Sequence, residues 1–308
     1  MRKPSPPIST TVRSAVTLAA LRFAFRFCSL VAPDIAIRRA GRMFATPLSS
    51  SRRRAVQSPD GGARHEVLRV DGIAVATYAW GDPASEPYVL LAHGWSSHGT
   101  RFVRWVEHLR AAGLAVVAFD QPGHGRSGGE RSNLPQFART LRAVADRHGP
   151  AAAVIGHSFG GAAIALALAD GLPARRAILI APAADPVDAS FRFARLISLP
   201  EALCRRMVAG FEAMVGTSFD ALQAHRNVPR IGCPALVIHD LEDREVPWAE
   251  GERYARYWPA SRLLTTRGLG HNRIVDDPGV VAAAMAYLRG ERMGEPVVSS
   301  PNLPYGFA

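Results

Sequence analysis

A serine, an aspartate and a histidine lie in that order on three short motifs, and together they could carry acyl transfer. The serine is Ser158, at the centre of Gly156-His157-Ser158-Phe159-Gly160. An apolar run, residues 151–155, precedes the motif, and a helix-like stretch, residues 161–170, follows it. A strand, a Gly-x-Ser-x-Gly turn and a helix place a serine on a sharp elbow, its hydroxyl exposed at the carboxyl edge of a sheet. The flanking glycines have a steric role: a side chain at Gly156 or Gly160 would collide where strand and helix cross, and a strained serine backbone needs small neighbours. The pattern alone is weak in a chain with 27 glycines. Its setting between strand and helix gives it weight.

A serine hydroxyl is a poor nucleophile at neutral pH and needs a histidine base oriented by a carboxylate. Downstream of Ser158 lie only His225, His239 and His271. His271 sits in a glycine-flanked loop, Gly268-Leu269-Gly270-His271, after a strand-like run at 262–266, and is the expected base. His225 falls in an arginine-rich helical region. His239 ends a strand and reads as structural. The acid is expected on the loop after that strand, which offers Asp240, Glu242, Asp243 and Glu245. Asp243 lies past the strand end, where the chain turns back over the sheet edge, and is the preferred acid. Asp240 is expected to close the strand, Glu242 and Glu245 to face solvent, and Asp185 stands in reserve. An oxyanion needs two backbone N–H donors. Phe159 supplies one by position; the other is expected from Trp95, after the strand-like run 88–92, with Gly94 allowing a sharp turn.

In this order the motifs resemble the α/β-hydrolase superfamily, over roughly residues 64–290. The resemblance rests on His93-Gly94-Trp95, on the segment from Asp120 to Ser127 with Pro122-Gly123-His124-Gly125 inside it, on the Ser158 elbow, on Asp243 with Val246-Pro247, and on Gly268 to His271. It implies a serine esterase or lipase-like enzyme, with His124 a structural histidine. A serine at the elbow argues against the dehalogenases and epoxide hydrolases, which use aspartate there. One departure is Asp240, which stands where many members have glycine.

The fold implied is α/β: a doubly wound, mainly parallel sheet with helices on both faces and a small helical cap. Strand-like and helix-like runs alternate as that requires. The hairpin over 65–80 turns at Asp71-Gly72, a tight-turn pair. The expected organisation is a basic amphipathic arm at 1–60, a core at 61–182 and 233–290, a cap at 183–232 and a flexible tail at 291–308. Some fifty residues separate two consecutive strands around the cap, more than a crossover needs. Its apolar side chains, among them Phe191, Phe193, Met207 and Phe211, are expected either to form the cap's own core or to line an acyl pocket.

Charge is concentrated at one end. The formal net charge is +11, and residues 1–55 hold eleven basic side chains against Asp34 alone, so ten of those charges lie there. Three readings of the arm stay open: a helix docked on the body, a helix lying on an anionic membrane surface, or a targeting segment. Arg52-Arg53-Arg54 reads as an exposed linker. Cys28, Cys204 and Cys233 are too few and too scattered for a disulfide framework or a metal site, which suggests a reducing cytoplasm. No cofactor or metal fingerprint is present, and nothing resembles a nucleic-acid module. The expected partner is a small-molecule ester or thioester. The same triad would serve a thioesterase, an amidase or a carbon–carbon bond hydrolase, and a non-catalytic hydrolase-like binding protein is the remaining alternative.

Overall fold

Five strands of this chain are buried along their whole length and apolar except where two end in polar residues, His157 and His239-Asp240: β3 (Tyr88–Ala92), β4 (Ala115–Phe119), β5 (Ala153–His157), β6 (Ala177–Ile180) and β7 (Ala235–Asp240). Strands covered on both faces read this way. With β1 (Arg64–Val70), β2 (Ile73–Trp80) and β8 (Ser261–Thr266) they form one eight-stranded sheet in the order β1-β2-β4-β3-β5-β6-β7-β8. The computed structural model describes residues 8–297, with side chains from residue 15 onward.

Only the β1–β2 and β2–β4 pairings are antiparallel; β4 through β8 run parallel. Asp71 and Gly72 both take positive φ, 49° and 78°, the turn that matches the twist of the β1–β2 hairpin. Alternate residues of the central strands feed two separate cores. Leu90, Val117, Val154, Leu179 and Val237 point to one face; Leu91, Val116, Ile155, Ile178 and Leu236 point to the other. The first face is covered by α5 (Leu134–Asp146), α6 (Phe159–Ala169) and α10 (Trp248–Tyr257), the second by α4 (Val103–Ala111) and α12 (Pro278–Leu288). Asn133 caps α5 by accepting the Gln136 N–H at 2.9 Å.

The chain divides into two compact units: residues 1–45 with 186–220, and residues 46–185 with 221–308. The first holds α1 (Ile8–Val31), α2 (Pro33–Ala45), α7 (Pro186–Ile197) and α8 (Glu201–Val215) around Phe25, Ala36, Ala40, Ile197, Leu199, Cys204 and Met207. Phe191, Phe193 and Phe211 pack against this cluster, whereas Leu196 and Met214 are exposed. The second unit holds the sheet, its covering helices, α3 (Ser49–Gln57), α9 (Ala224–Asn227) and α11 (Gly270–Arg273).

Two expectations need correction. Residues 52–54 are not a linker but part of α3, which belongs with the sheet and not with the arm; Arg53 and Arg54 are exposed as expected, and Arg52 is half-buried. Arg52 donates to the carbonyls of Ser127 and Gly129 at 2.8 and 2.6 Å, and Arg54 donates to the Ser96 carbonyl at 3.1 Å. A guanidinium has five donors, and these loops offer unpaired carbonyls to receive them. The start of the expected flexible tail is also fastened: Glu295 exchanges two backbone hydrogen bonds with Leu263 of β8, both 2.8 Å. Residues 298–308 lie outside the described residues, as do Arg2 and Lys3.

Candidate active site

Ser158 sits between β5 and α6 with φ 55° and ψ −122°, a conformation that side chains other than glycine avoid. The strain is held by close packing. A Cβ on Gly160 would lie 2.3 Å from the Ala92 carbonyl oxygen, and one on Gly156 would lie 2.7 Å from Ile164 Cδ1. Both glycines are therefore required for proximity, as the motif suggests. Gly94 differs from expectation. Its backbone is not left-handed; a Cβ there would instead come within 2.9 Å of Ser158 Cβ. Its bareness lets the loop after β3 lie against Ser158. The positive φ in that loop falls on Ser96, at 52°, which Arg54 and the Leu48 N–H hold through its carbonyl and hydroxyl.

The N–H groups of Trp95 and Phe159 donate no backbone hydrogen bond among the described residues. Phe159 is the first residue of α6, so its N–H has no acceptor within the helix, and the helix's positive end faces the same point. Trp95 packs edge-on against Phe159 and against His124, with centroids 5.4 and 5.0 Å apart. Trp95 and Phe159 both pack on the ring of Phe137, which is fully buried beneath them.

His271 is the second residue of α11 and is buried. Its Nδ1 donates to Asp243 Oδ2 at 2.7 Å, and its carbonyl accepts from His157 Nε2 at 2.9 Å. The His157 and His271 rings lie 4.7 Å apart, which sets His271 beside the residue preceding Ser158. The Ser158 hydroxyl makes no hydrogen bond among the described residues; contacts of this kind commonly close when substrate binds. Asp243 is buried, and its other oxygen accepts the N–H groups of Glu245 and Val246 at 2.9 and 3.0 Å. Burial alone would raise its carboxyl pKa. Hydrogen bonds from His239 and His271 outweigh that, and the net displacement is downward.

The remaining candidates are accounted for. Asp185 is paired with Arg253 at 2.6 Å and accepts from Gln223 at 3.0 Å. The His225 ring lies tilted against Tyr257, and Glu242 and Glu245 are exposed. His124 donates to the Pro122 carbonyl at 3.0 Å and supports its loop. Sequence reasoning underrated two residues. His239 does more than close a strand: its Nε2 donates to the Val246 carbonyl at 3.0 Å and lies 3.4 Å from Asp243 Oδ2. Asp240 ends β7 as expected, but its carboxylate also joins two loops. It accepts from Glu242 N–H at 3.0 Å on the acid side, and from Thr266 Oγ1 and Leu269 N–H at 2.8 and 3.0 Å on the histidine side. The signal was present as polar residues ending an otherwise apolar strand. Replacing Asp240 by glycine removes all three bonds; we expect kcat to fall by about tenfold to a hundredfold with KM little changed, checked by steady-state kinetics.

Burial also leaves a pH signature. His93 and His124 are pushed down to about 3 by burial, and His157 well below its ordinary value by burial and then by the neighbouring His271. The unfolded chain takes up protons on these groups near pH ~6.5 while the folded chain does not. Stability must therefore fall as pH drops below about 6.5, by up to about 1.4 kcal/mol per pH unit for each histidine. Urea midpoints measured from neutral to mildly acidic pH will show the slope, and His124→Gln will flatten it by one histidine's share. An unchanged slope in that variant would refute the assignment for His124.

A family model described as serine aminopeptidase, S33, matches residues 83–221. Over 109 residues the chain is 37% identical to monoacylglycerol lipase of Mycolicibacterium smegmatis, a stretch covering 32% of this chain and 39% of the lipase. Monoglyceride lipase of Homo sapiens is 32% identical over 134 residues, 40% of this chain and 44% of that enzyme. The chain thus spans less than half the length of these curated relatives. Among solved structures, an esterase from Rhodococcus sp. ECU1013 matches with a TM-score of 0.57 over 75% of this chain and 99% of the esterase. At 21% identity that likeness concerns the fold. Sheet order and solved structures agree: the chain has the α/β-hydrolase fold, and residues 83–221 resemble a serine-hydrolase family of that fold.

Proposed function

We propose that the chain is a serine hydrolase that cleaves a carboxylic ester of an apolar acyl group. The observation that carries this reading is the 2.7 Å contact of His271 Nδ1 with a buried, ionised Asp243, next to a serine on a strained elbow. That contact leaves Nε2 of His271 unprotonated and able to take a proton. Ser158 Oγ attacks the carbonyl carbon and His271 Nε2 receives the hydroxyl proton. Trp95 and Phe159 N–H groups hold the oxyanion. The tetrahedral species collapses, His271 returns the proton to the leaving alkoxide, and an acyl-enzyme remains. Water then attacks the acyl carbon while His271 takes its proton; collapse restores Ser158 and releases the acid. The mechanism needs no cofactor.

Substrate class follows from the surroundings and from the relatives. The half-buried rings of Trp95 and Phe159, backed by the buried Phe137, favour an apolar acyl chain. The names of the two lipases make a monoacylglycerol the first substrate to try. Free thiols at Cys28, Cys204 and Cys233 suit a reducing, cytoplasmic setting. Specificity constants on a monoacylglycerol, its matched thioester and its matched amide test the reading. The oxygen ester should be preferred; a strong preference for the thioester or amide would replace the ester assignment while keeping the triad.

A further inference from the structure

Helix α1 has two apolar faces. Leu21, Phe25 and Cys28 turn inward against α2, α7 and α8. On the opposite side Val16, Phe23, Phe27 and Leu30 are 63%, 72%, 59% and 84% exposed. Steps of seven, four and three residues place these four on one face. A row of this kind is rarely left facing water in a monomer and marks a surface that something covers.

Charge indicates what covers it. The face that α2 turns outward carries Arg38, Arg39 and Arg42 between Ile35 and Met43. Arg22 donates to the Leu196 carbonyl at 2.9 Å. Asp34, the only acid in the first 55 residues, is held by Arg206 at 2.7 Å. Arg26, Arg38, Arg39 and Arg42 have no ion-pair partner among the described residues. A groove of about 310 Å³ runs between the two helices, with Leu21, Ala24 and Cys28 on one wall and Arg39, Arg42 and Met43 on the other. Its lining is apolar and its rim holds two guanidiniums, a match for an acyl chain below a phosphate. Among the described residues no helix is long and apolar enough to cross a membrane.

We propose that the exposed face of α1 and α2 seats the protein on an anionic phospholipid surface. Phe23, Phe27 and Leu30 enter the acyl boundary, and Arg26, Arg38, Arg39 and Arg42 meet the headgroup phosphates. A second copy of the chain is disfavoured as the occupant, because two such faces would oppose like charges. A nucleic acid would leave the apolar row uncovered.

The test is co-sedimentation of the full chain with vesicles of phosphatidylcholine alone and of phosphatidylcholine mixed with phosphatidylglycerol, at low and high salt. Binding is expected only to the mixed vesicles, and salt should weaken it. The variant Arg38→Gln/Arg39→Gln/Arg42→Gln should lower partitioning by about a hundredfold. Phe27→Ser alone should lower it severalfold, with hydrolysis of a water-soluble ester unchanged in both variants. The salt and lipid dependence of the wild type needs no variant and stands even if one misfolds. No sedimentation, or equal sedimentation with both vesicle types, would overturn the proposal. A salt-resistant dimer that Phe27→Ser splits would overturn it in favour of a second copy.

Discussion

Asp243→Asn will fold and will lose about a thousandfold to ten-thousandfold in kcat. The reason is the direction of one proton. Asp243 Oδ1 accepts two backbone N–H groups, and an asparagine oxygen can do the same. Oδ2 accepts from His271 Nδ1 at 2.7 Å and lies 3.4 Å from His239 Nε2. An amide nitrogen in its place is a donor facing two donors. His271 must then carry its proton on Nε2, where it can no longer accept one from Ser158. Nitrogen NMR of the His271 ring will show the exchange of tautomers alongside the kinetic loss. The variant will also lose one pH dependence of stability. A carboxyl whose folded pKa is lowered stabilises the protein above its unfolded pKa of about 3.9, and that contribution fades as pH falls towards the folded value. Activity within tenfold of wild type would mean that Asp243 does not orient the base.

Ser158→Ala should cost still more, about ten-thousandfold or beyond in kcat, because no other group can form the acyl-enzyme. The same position offers a check on strain. Alanine keeps the 55° φ of Ser158, so its urea midpoint should equal that of wild type. Ser158→Gly relieves that φ and should stabilise the protein by about 1 kcal/mol. Inactive but stable variants would separate a chemical role from a folding one. Substantial turnover by Ser158→Ala would remove the mechanism.

Much of the fold was legible because the sheet is buried on both faces. Strands β3 to β7 are short apolar runs bounded by polar or glycine residues, and the Asp71-Gly72 turn has a single comfortable geometry. The turn at Ser158 was legible for the same reason, since the glycines around it permit close packing. The choice of Asp243 among four carboxylates followed from its place beyond the strand, and in the structure it accepts from His271.

What sequence did not disclose is cross-linking between distant segments. Arg52 and Arg54 look like a solvated charge run, yet they bind carbonyls of loops some 40 to 80 residues away. Asp240 looks like a blemish in a strand end, yet it ties the acid loop to the histidine loop. Asp120 is a third case. Buried, it accepts the Tyr78 hydroxyl and the N–H groups of Gly99 and Arg126, each at 2.7 Å. Hydrogen-bond partners of this kind depend on the completed chain path, and no local periodicity encodes them.

The central claim is that Ser158 is an activated nucleophile, and covalent labelling tests it most directly. Wild type, Ser158→Ala and Asp243→Asn would be treated with a fluorophosphonate probe, followed by intact mass measurement and peptide mapping. The account predicts a single adduct on Ser158 in wild type, none in Ser158→Ala and strongly slowed labelling in Asp243→Asn. No adduct on well-folded wild type, or an adduct on any other residue, would contradict it.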